Sequence, residues 1–464
     1  MISMNLGTLA RIVGGELRRT DQADRQFDGV CIDSRQIGSG QLFVALKGQR
    51  VDGHRYVVSA FEHGASAAMV EADSDYTATV AESCPLIAVR DSYAAMIILA
   101  KWYRDSVSAT RVGITGSNGK TTTKEIAYTL LNAARRNVFR SPGNLNNLYG
   151  APLAIFAMPA DTEFAVLEMG VSVPGEMAKL ADIVRPNIVA ITNVGATHLE
   201  FLGSIEGVVR EKLSLMDGAG ADTKLIVNAD DPVLLRSAEK LNRQLITFAI
   251  NQPANIRPEK ITYRPDATSQ VFIDGHCFNL NLFGAHQVYN LLTAYAIARA
   301  AGVSFDGVDT ESIHFTSSPL RGEFLVSHGV SFIVDCYNAN PGSVQAGLTS
   351  FVSYKTSGRR IVILGDMLEL GESSAEYHRQ MGIQAADRGS DVAVFVGTLS
   401  HEAYKSAMAT GRSSKSTFHY PDARSCTRET AAMFQEGDIV YVKGSRGIGL
   451  ETVVEPWRVP EGVR

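Results

Sequence analysis

The residues with the clearest chemical meaning lie in GITGSNGKTTTKE, Gly113 to Glu125, directly after a short apolar run. Glycines let backbone N–H groups turn toward an anion, a following helix N-terminus adds partial positive charge, and a lysine in its first turn can reach terminal phosphates. Residues Thr115, Gly116, Ser117, Asn118, Gly119, Lys120, Thr121 and Thr122 therefore read as a cradle for a nucleoside triphosphate, with Lys120 on the phosphates and Thr121 placed for Mg²⁺. The spacing G-x-x-x-x-G-K-[ST] would put glycine where the chain has Ile114, so the match is to the second half of that motif. A glycine turn with a chance lysine is the plain alternative.

Other candidates stand at the ends of apolar runs. Glu168 closes FAVLEMG, where a carboxylate could serve a hard cation, and His198 follows NIVAITN on the same expected rim. Each could equally be a structural strand-end residue. Lys212, in SIEGVVREKLSLMD, reads on residue type alone as a solvated surface lysine. Toward the C-terminus, VDCYNANPGS offers Asp335, Asn338 and Asn340, LGDMLELG offers Asp366 and Glu369, and VKGSRG offers Lys443, Ser445 and Arg446. Loops at strand ends commonly carry ligand contacts, although Asn-Pro-Gly and glycine-rich turns also arise for turn geometry alone.

Positioning these groups requires sheets. RVGIT, FAVLEM, NIVAITN and KLIVN are near-continuous apolar runs, the pattern of strands buried on both faces of a parallel sheet. HQVYNLLTAYAIARAAG predicts a helix with Leu291, Ala294, Tyr295 and Ala298 on one face, closed by Gly302. SFIVDC, RRIVILGD, DVAVFVG and DIVYVKG predict a second doubly wound sheet. The first 90 residues, with GQLFVALKG, YVVSAFEHGA and ASAAMVEA, read as a small α/β unit. The expected architecture is α/β in three domains: an N-terminal unit (1–90), a central phosphate-loop ATPase domain with a mostly parallel sheet (91–314), and a C-terminal Rossmann-like domain (315–464).

At 464 residues the chain exceeds one core, and 45% hydrophobic with 20% charged residues excludes a disordered chain. A net charge of −5 argues against a nucleic-acid surface. Five scattered cysteines without a C-x-x-C pair signal neither a disulfide framework nor zinc. No apolar run approaches the ~18 residues of a membrane span, and the start carries no signal-peptide pattern. A cytoplasmic monomer is expected.

TGSNGKTTTKE, GNLNNLYGAPL, LEMG, NVGATHLEFLGS, HQVYNLL, DCYNANPGSV and LGDMLELG, in that order, resemble the Mur ligases over nearly the whole chain. The resemblance implies ATP-dependent amide formation joining D-alanyl-D-alanine to the free carboxylate of UDP-N-acetylmuramoyl-tripeptide, a step toward peptidoglycan. It further implies that Thr121 and Glu168 hold one Mg²⁺, that Glu168 and His198 hold another, and that Lys212 is carbamylated, which reverses its surface reading. Catalysis would then rest on Lys120, Glu168, His198 and Lys212. Asn290 would meet adenine, Arg321 the phosphates and Asp335 the ribose. Ser34, Arg35 and Lys47 would meet the uridine nucleotide, and Asn144 and Asn147 the muramoyl peptide. Asn338, Asn340 and Asp366 are the dipeptide candidates. Gln287 stands where many relatives have asparagine and carries no assignment. The alternatives are the diamino-acid-adding relative, a small-molecule kinase, or a nucleotide-gated binding protein.

Overall fold

The apolar runs become strands because only a sheet covered on both sides can bury them throughout. In the computed structural model, which describes residues 1–48, 50–75 and 84–458, RVGIT lies in the strand Thr110–Thr115. The others form Phe164–Glu168, Ile188–Ile191 and Lys224–Asn228. With Leu245–Phe248 and Val138–Arg140 at the edges they make one wholly parallel six-stranded sheet. Thr110–Thr115 sits inside it, between Ile188–Ile191 and Phe164–Glu168, with Glu168 opposite Ile114 and Ile191 opposite Thr115. The glycine loop, Glu168 and the segment leading to His198 therefore leave the sheet on one rim, where open α/β sheets place their ligands.

One face of this sheet carries the helices Lys120–Ala133 and Gln287–Ala300. The second departs from its expected one-sided pattern, since nearly every residue is buried. The reason is an antiparallel sheet of Lys260–Tyr263, Ser269–Ile273 and His276–Leu280 that shares its core, with the Phe278 and Tyr295 rings 5.9 Å apart.

The opposite face packs against the N-terminal unit without a break. One apolar core runs from the helix Leu6–Val13 through Ser92–Ser106 to Glu176–Val184 and the central strands. Ile2 N–H bonds Phe156 O at 2.8 Å, and the Tyr103 hydroxyl bonds Met158 O at 2.7 Å. Among the described residues the N-terminal sheet has five strands, of which only Glu16–Leu17 runs antiparallel to its neighbour.

The C-terminal sheet orders its strands Glu323–Ser327, Val330–Val334, Ile439–Lys443, Arg360–Gly365, Val392–Val396 and Thr417–Tyr420. The first pair is an antiparallel hairpin and the rest is parallel, with separate apolar cores on the two faces. Among the described residues, no helix is long and apolar enough to cross a membrane.

Candidate active site

The glycine loop is held in shape by neighbours that leave no room for side chains. Gly116 has φ 149° and Gly119 φ 81°; a Cβ would lie 1.9 Å from Thr192 Oγ1 at the first and 2.1 Å from Asn290 Oδ1 at the second. Both positions thus need glycine for conformation and for space. The segment after Ile188–Ile191 buttresses the same loop: Asn118 N–H donates to Asn193 Oδ1 at 3.0 Å and Gly195 N–H to Ser117 Oγ at 3.0 Å. Lys120, first residue of its helix, folds back so that Nζ donates to Gly116 O at 2.8 Å. Burial pushes its ammonium below the ordinary lysine range; nearby Glu168 opposes this and Arg321 adds to it.

Beside the loop, Thr121 Oγ1 donates to Glu168 Oε2 at 2.8 Å, and Asn146 Nδ2 donates to Oε1 at 2.9 Å. A buried carboxylate and a hydroxyl in contact form an all-oxygen donor pair that suits Mg²⁺, which usually takes one or two protein carboxylates and completes its shell with water and phosphate oxygens. Among the described residues no group of three His, Cys, Asp or Glu gathers as a metal cage. Of the expected metal set, Thr121 and Glu168 are in direct contact. His198 reaches the rim, but its Nδ1 is bonded to Glu369 from the C-terminal unit.

Lys212 overturns its reading as a surface lysine: in the helix Ile205–Leu213 it is 3% exposed. Among the described residues its Nζ makes no hydrogen bond or ion pair, and burial, with Lys120 nearby, drives its affinity for a proton well below that of an ordinary lysine. The His198 imidazole is also pushed down by burial, with Glu369 opposing and Lys212 and Lys120 reinforcing. Lys120, Lys212, His198 and Glu168 thus share one electrostatic neighbourhood.

Two contributors were not apparent in the sequence. Asn146, between the two chosen asparagines, is the one that touches Glu168. Asn147 instead accepts from Gly150 N–H at 2.8 Å at the start of the helix Gly150–Ala157, and Asn144 is exposed. Lys124 is 1% exposed, donates to Ser141 O at 2.9 Å and Gly143 O at 3.1 Å, and lies 4.0 Å from Glu168 Oε2. Its place four residues after Lys120, one helical turn on, is the signal that could have found it.

A cleft of about 260 Å³ opens between this rim and the C-terminal loops, lined by Thr197 and His198 on one side and Tyr337 to Asn340, Leu368, Glu369 and Ser445 to Gly447 on the other. Asn338 lines it. Asn340 also does, but its side chain caps the helix Pro341–Ser353 and its Nδ2 donates to Asn118 Oδ1 at 2.6 Å, so it clasps the glycine loop. Asp366 is a correction: its buried carboxylate accepts from Ser400 N–H at 2.7 Å and Leu399 N–H at 3.2 Å, capping the helix Ser400–Ala409 from a neighbouring strand end. Asp366→Ala should cost about 1–2 kcal/mol of stability through the lost cap, measured by chemical denaturation, with turnover per folded molecule retained.

Asp335 accepts at one oxygen, Oδ2, from Lys443 Nζ at 2.8 Å and the Tyr441 hydroxyl at 2.9 Å, which leaves Oδ1 for a ligand. Asn290 accepts from Thr123 Oγ1 at 3.3 Å and donates to Gln287 Oε1 at 2.7 Å, which gives Gln287 a structural task. Arg321 lies over the Tyr337 ring at 3.8 Å. In the N-terminal unit, Ser34 and Lys47 follow the adjacent parallel strands Val30–Cys31 and Leu42–Val44, and Arg35 is exposed but chelated by Asp33 at 2.9 and 2.7 Å.

Residues 26–104 match the Mur ligase family catalytic domain, 114–298 the Mur ligase middle domain and 320–446 the Mur ligase, glutamate ligase domain. The chain is 31% identical over 458 residues to the UDP-N-acetylmuramoyl-tripeptide–D-alanyl-D-alanine ligase of Bacillus subtilis, covering 98% of each. It is 31% identical over 462 residues to the protein of the same name from Escherichia coli, again covering 98% of each. The crystal structure of MurF from Acinetobacter baumannii superposes with a TM-score of 0.86 at 25% identity, covering 98% of this chain and 99% of that one. MurF ligase from Thermotoga maritima in complex with ADP gives 0.79 at 28% identity, covering 93% and 97%. On these three matched domains and near-full-length relatives, the chain belongs to the Mur ligase family.

Proposed function

We propose that this ligase joins D-alanyl-D-alanine to UDP-N-acetylmuramoyl-tripeptide, consuming ATP and releasing ADP and phosphate. The observation that carries the reading is the Thr121–Glu168 oxygen pair beside a glycine loop that Asn340, from the wall of the cleft, clasps at Asn118. A carboxylate resists amine attack because oxide would have to leave. Transfer of the γ-phosphoryl to the tripeptide carboxylate breaks the bond to ADP and forms an acyl phosphate. The dipeptide amine, having lost a proton from its ammonium form, then attacks the acyl carbon, phosphate departs with the C–O bond electrons, and the nitrogen gives up a second proton to leave the neutral amide.

Loop N–H groups and Lys120 hold the triphosphate and offset charge on the transferring oxygens. Thr121 and Glu168, with His198, are the residues that would hold Mg²⁺, which when bound supplies positive charge to the phosphate oxygens. Lys212, buried and without a partner among the described residues, is suited to react as a neutral amine with CO₂, giving a carbamate and a proton. That converts a cation among cations into an oxygen donor. Asn146 and Lys124 fix the segment Ser141–Asn147 against Glu168, where the tripeptide carboxylate must arrive. On this reading residues 1–90 take the uridine nucleotide, with Ser34, Arg35 and Lys47, residues 91–314 take ATP, and residues 315–464 take the dipeptide, with Asn338 in the cleft.

The test offers the purified chain ATP with UDP-muramoyl tripeptide and D-alanyl-D-alanine, or with UDP-muramoyl dipeptide and a diamino acid. Phosphate release that requires both members of the first pair, with a pentapeptide product by mass spectrometry, is expected. A diamino-acid product would move the chain to its relative's step, and a stable phosphorylated product from one acceptor would make it a kinase.

A further inference from the structure

Glu369 stands on the loop after the strand Arg360–Gly365 and crosses to the central rim. Its Oε2 bonds the His198 ring at Nδ1, and its own carbonyl accepts from Glu200 N–H at 3.3 Å. Gly371, at φ 57°, lets the chain pass so close that a Cβ there would lie 3.3 Å from Glu200 Cα. Segments 198–200 and 369–371 thus interlock. His198 at φ 54° and Glu369 at φ 62° both hold left-handed backbone, which persists in residues with a Cβ only where surrounding contacts enforce it.

A neutral imidazole carries one proton on two nitrogens. A carboxylate at Nδ1 keeps that proton there by accepting its hydrogen bond, which leaves the Nε2 lone pair free and fixes the plane of the ring. Because Glu369 and His198 belong to different units, this contact exists only while the C-terminal unit is docked.

We propose that Glu369 is a positioning residue that sets the tautomer and direction of His198 upon domain closure, so that the cation-binding rim is completed only in the closed enzyme. Its consequence for turnover rests on the ligase reading given above; the ring orientation does not. Ring ¹⁵N–¹H correlation spectra of the full chain, with His198 signals assigned by their loss in His198→Asn, report the tautomer directly. The wild type should show Nδ1–H. Glu369→Ala should shift the population toward Nε2–H, and so should Glu369→Asp, which keeps the charge but is one methylene short.

Turnover of Glu369→Ala should fall about 10- to 100-fold, in kcat rather than in the KM for ATP, and adding Glu369→Ala to His198→Asn should cost nothing further. An unchanged tautomer in either Glu369 variant, or losses that multiply in the double variant, would overturn the proposal. Should Glu369→Ala fail to fold, as dispersed histidine signals would reveal, Glu369→Asp decides. A wild type without dipeptide-dependent phosphate release would sink the ligase reading instead, leaving the ring spectra to judge Glu369.

Discussion

Lys120→Ala is expected to lower kcat by more than ~100-fold, the usual cost of removing one electrostatic stabiliser of a charged transition state. In the structure Nζ is tethered to Gly116 O at 2.8 Å with Glu168 and Arg321 nearby, so the group sits against its own loop. Its removal should leave the fold intact, since the loop is held mainly by Thr192, Asn193 and Asn290. Phosphate release measured alongside thermal denaturation separates the two effects. Near-normal turnover in a folded variant would refute the assignment of this loop to the triphosphate.

Lys212→Ala should reduce turnover by a similar factor, about 100-fold, and high concentrations of a short carboxylic acid should restore part of it. The side chain is buried, without an acceptor among the described residues, and held well below the ordinary lysine range. An ammonium in that position would repel both Lys120 and a divalent cation. The truncated side chain leaves room beside the rim, and an added carboxylate can supply the missing anionic oxygens. Loss without rescue would leave Lys212 a packing residue, and no loss would retire the carbamate.

The parallel strands and the glycine loop are legible in the sequence because burial on both faces removes alternation and because tight turns with positive φ demand glycine. Lys212 is not, since nothing in a helix of mixed polarity reveals that a lysine faces inward; only the family resemblance points to it. Asp366 misleads for the opposite reason. A polar residue at a strand end is equally suited to ligand contact and to capping a nearby helix, and the choice depends on Ser400 and Leu399, more than thirty residues away. Asn146 and Lys124 escape notice because their task is to touch Glu168 and the segment before it, contacts made only when separate strands align. The antiparallel sheet of residues 260–280 is hidden by a short, largely exposed first strand.

The two seams flanking the central sheet differ in kind. Toward the N-terminal unit the seam is continuous apolar core, whereas the C-terminal unit meets its neighbour through Phe283 against Tyr441, 6.0 Å between rings, near the connecting segment, and through amide and carboxylate contacts at the cleft mouth. Parting that mouth exchanges a few hydrogen bonds, each worth about 1 kcal/mol net, for bonds to water. On the ligase reading, a swing about this apolar contact would let spent nucleotide escape, and a small polar molecule wedged at the mouth would block the enzyme without competing at the glycine loop.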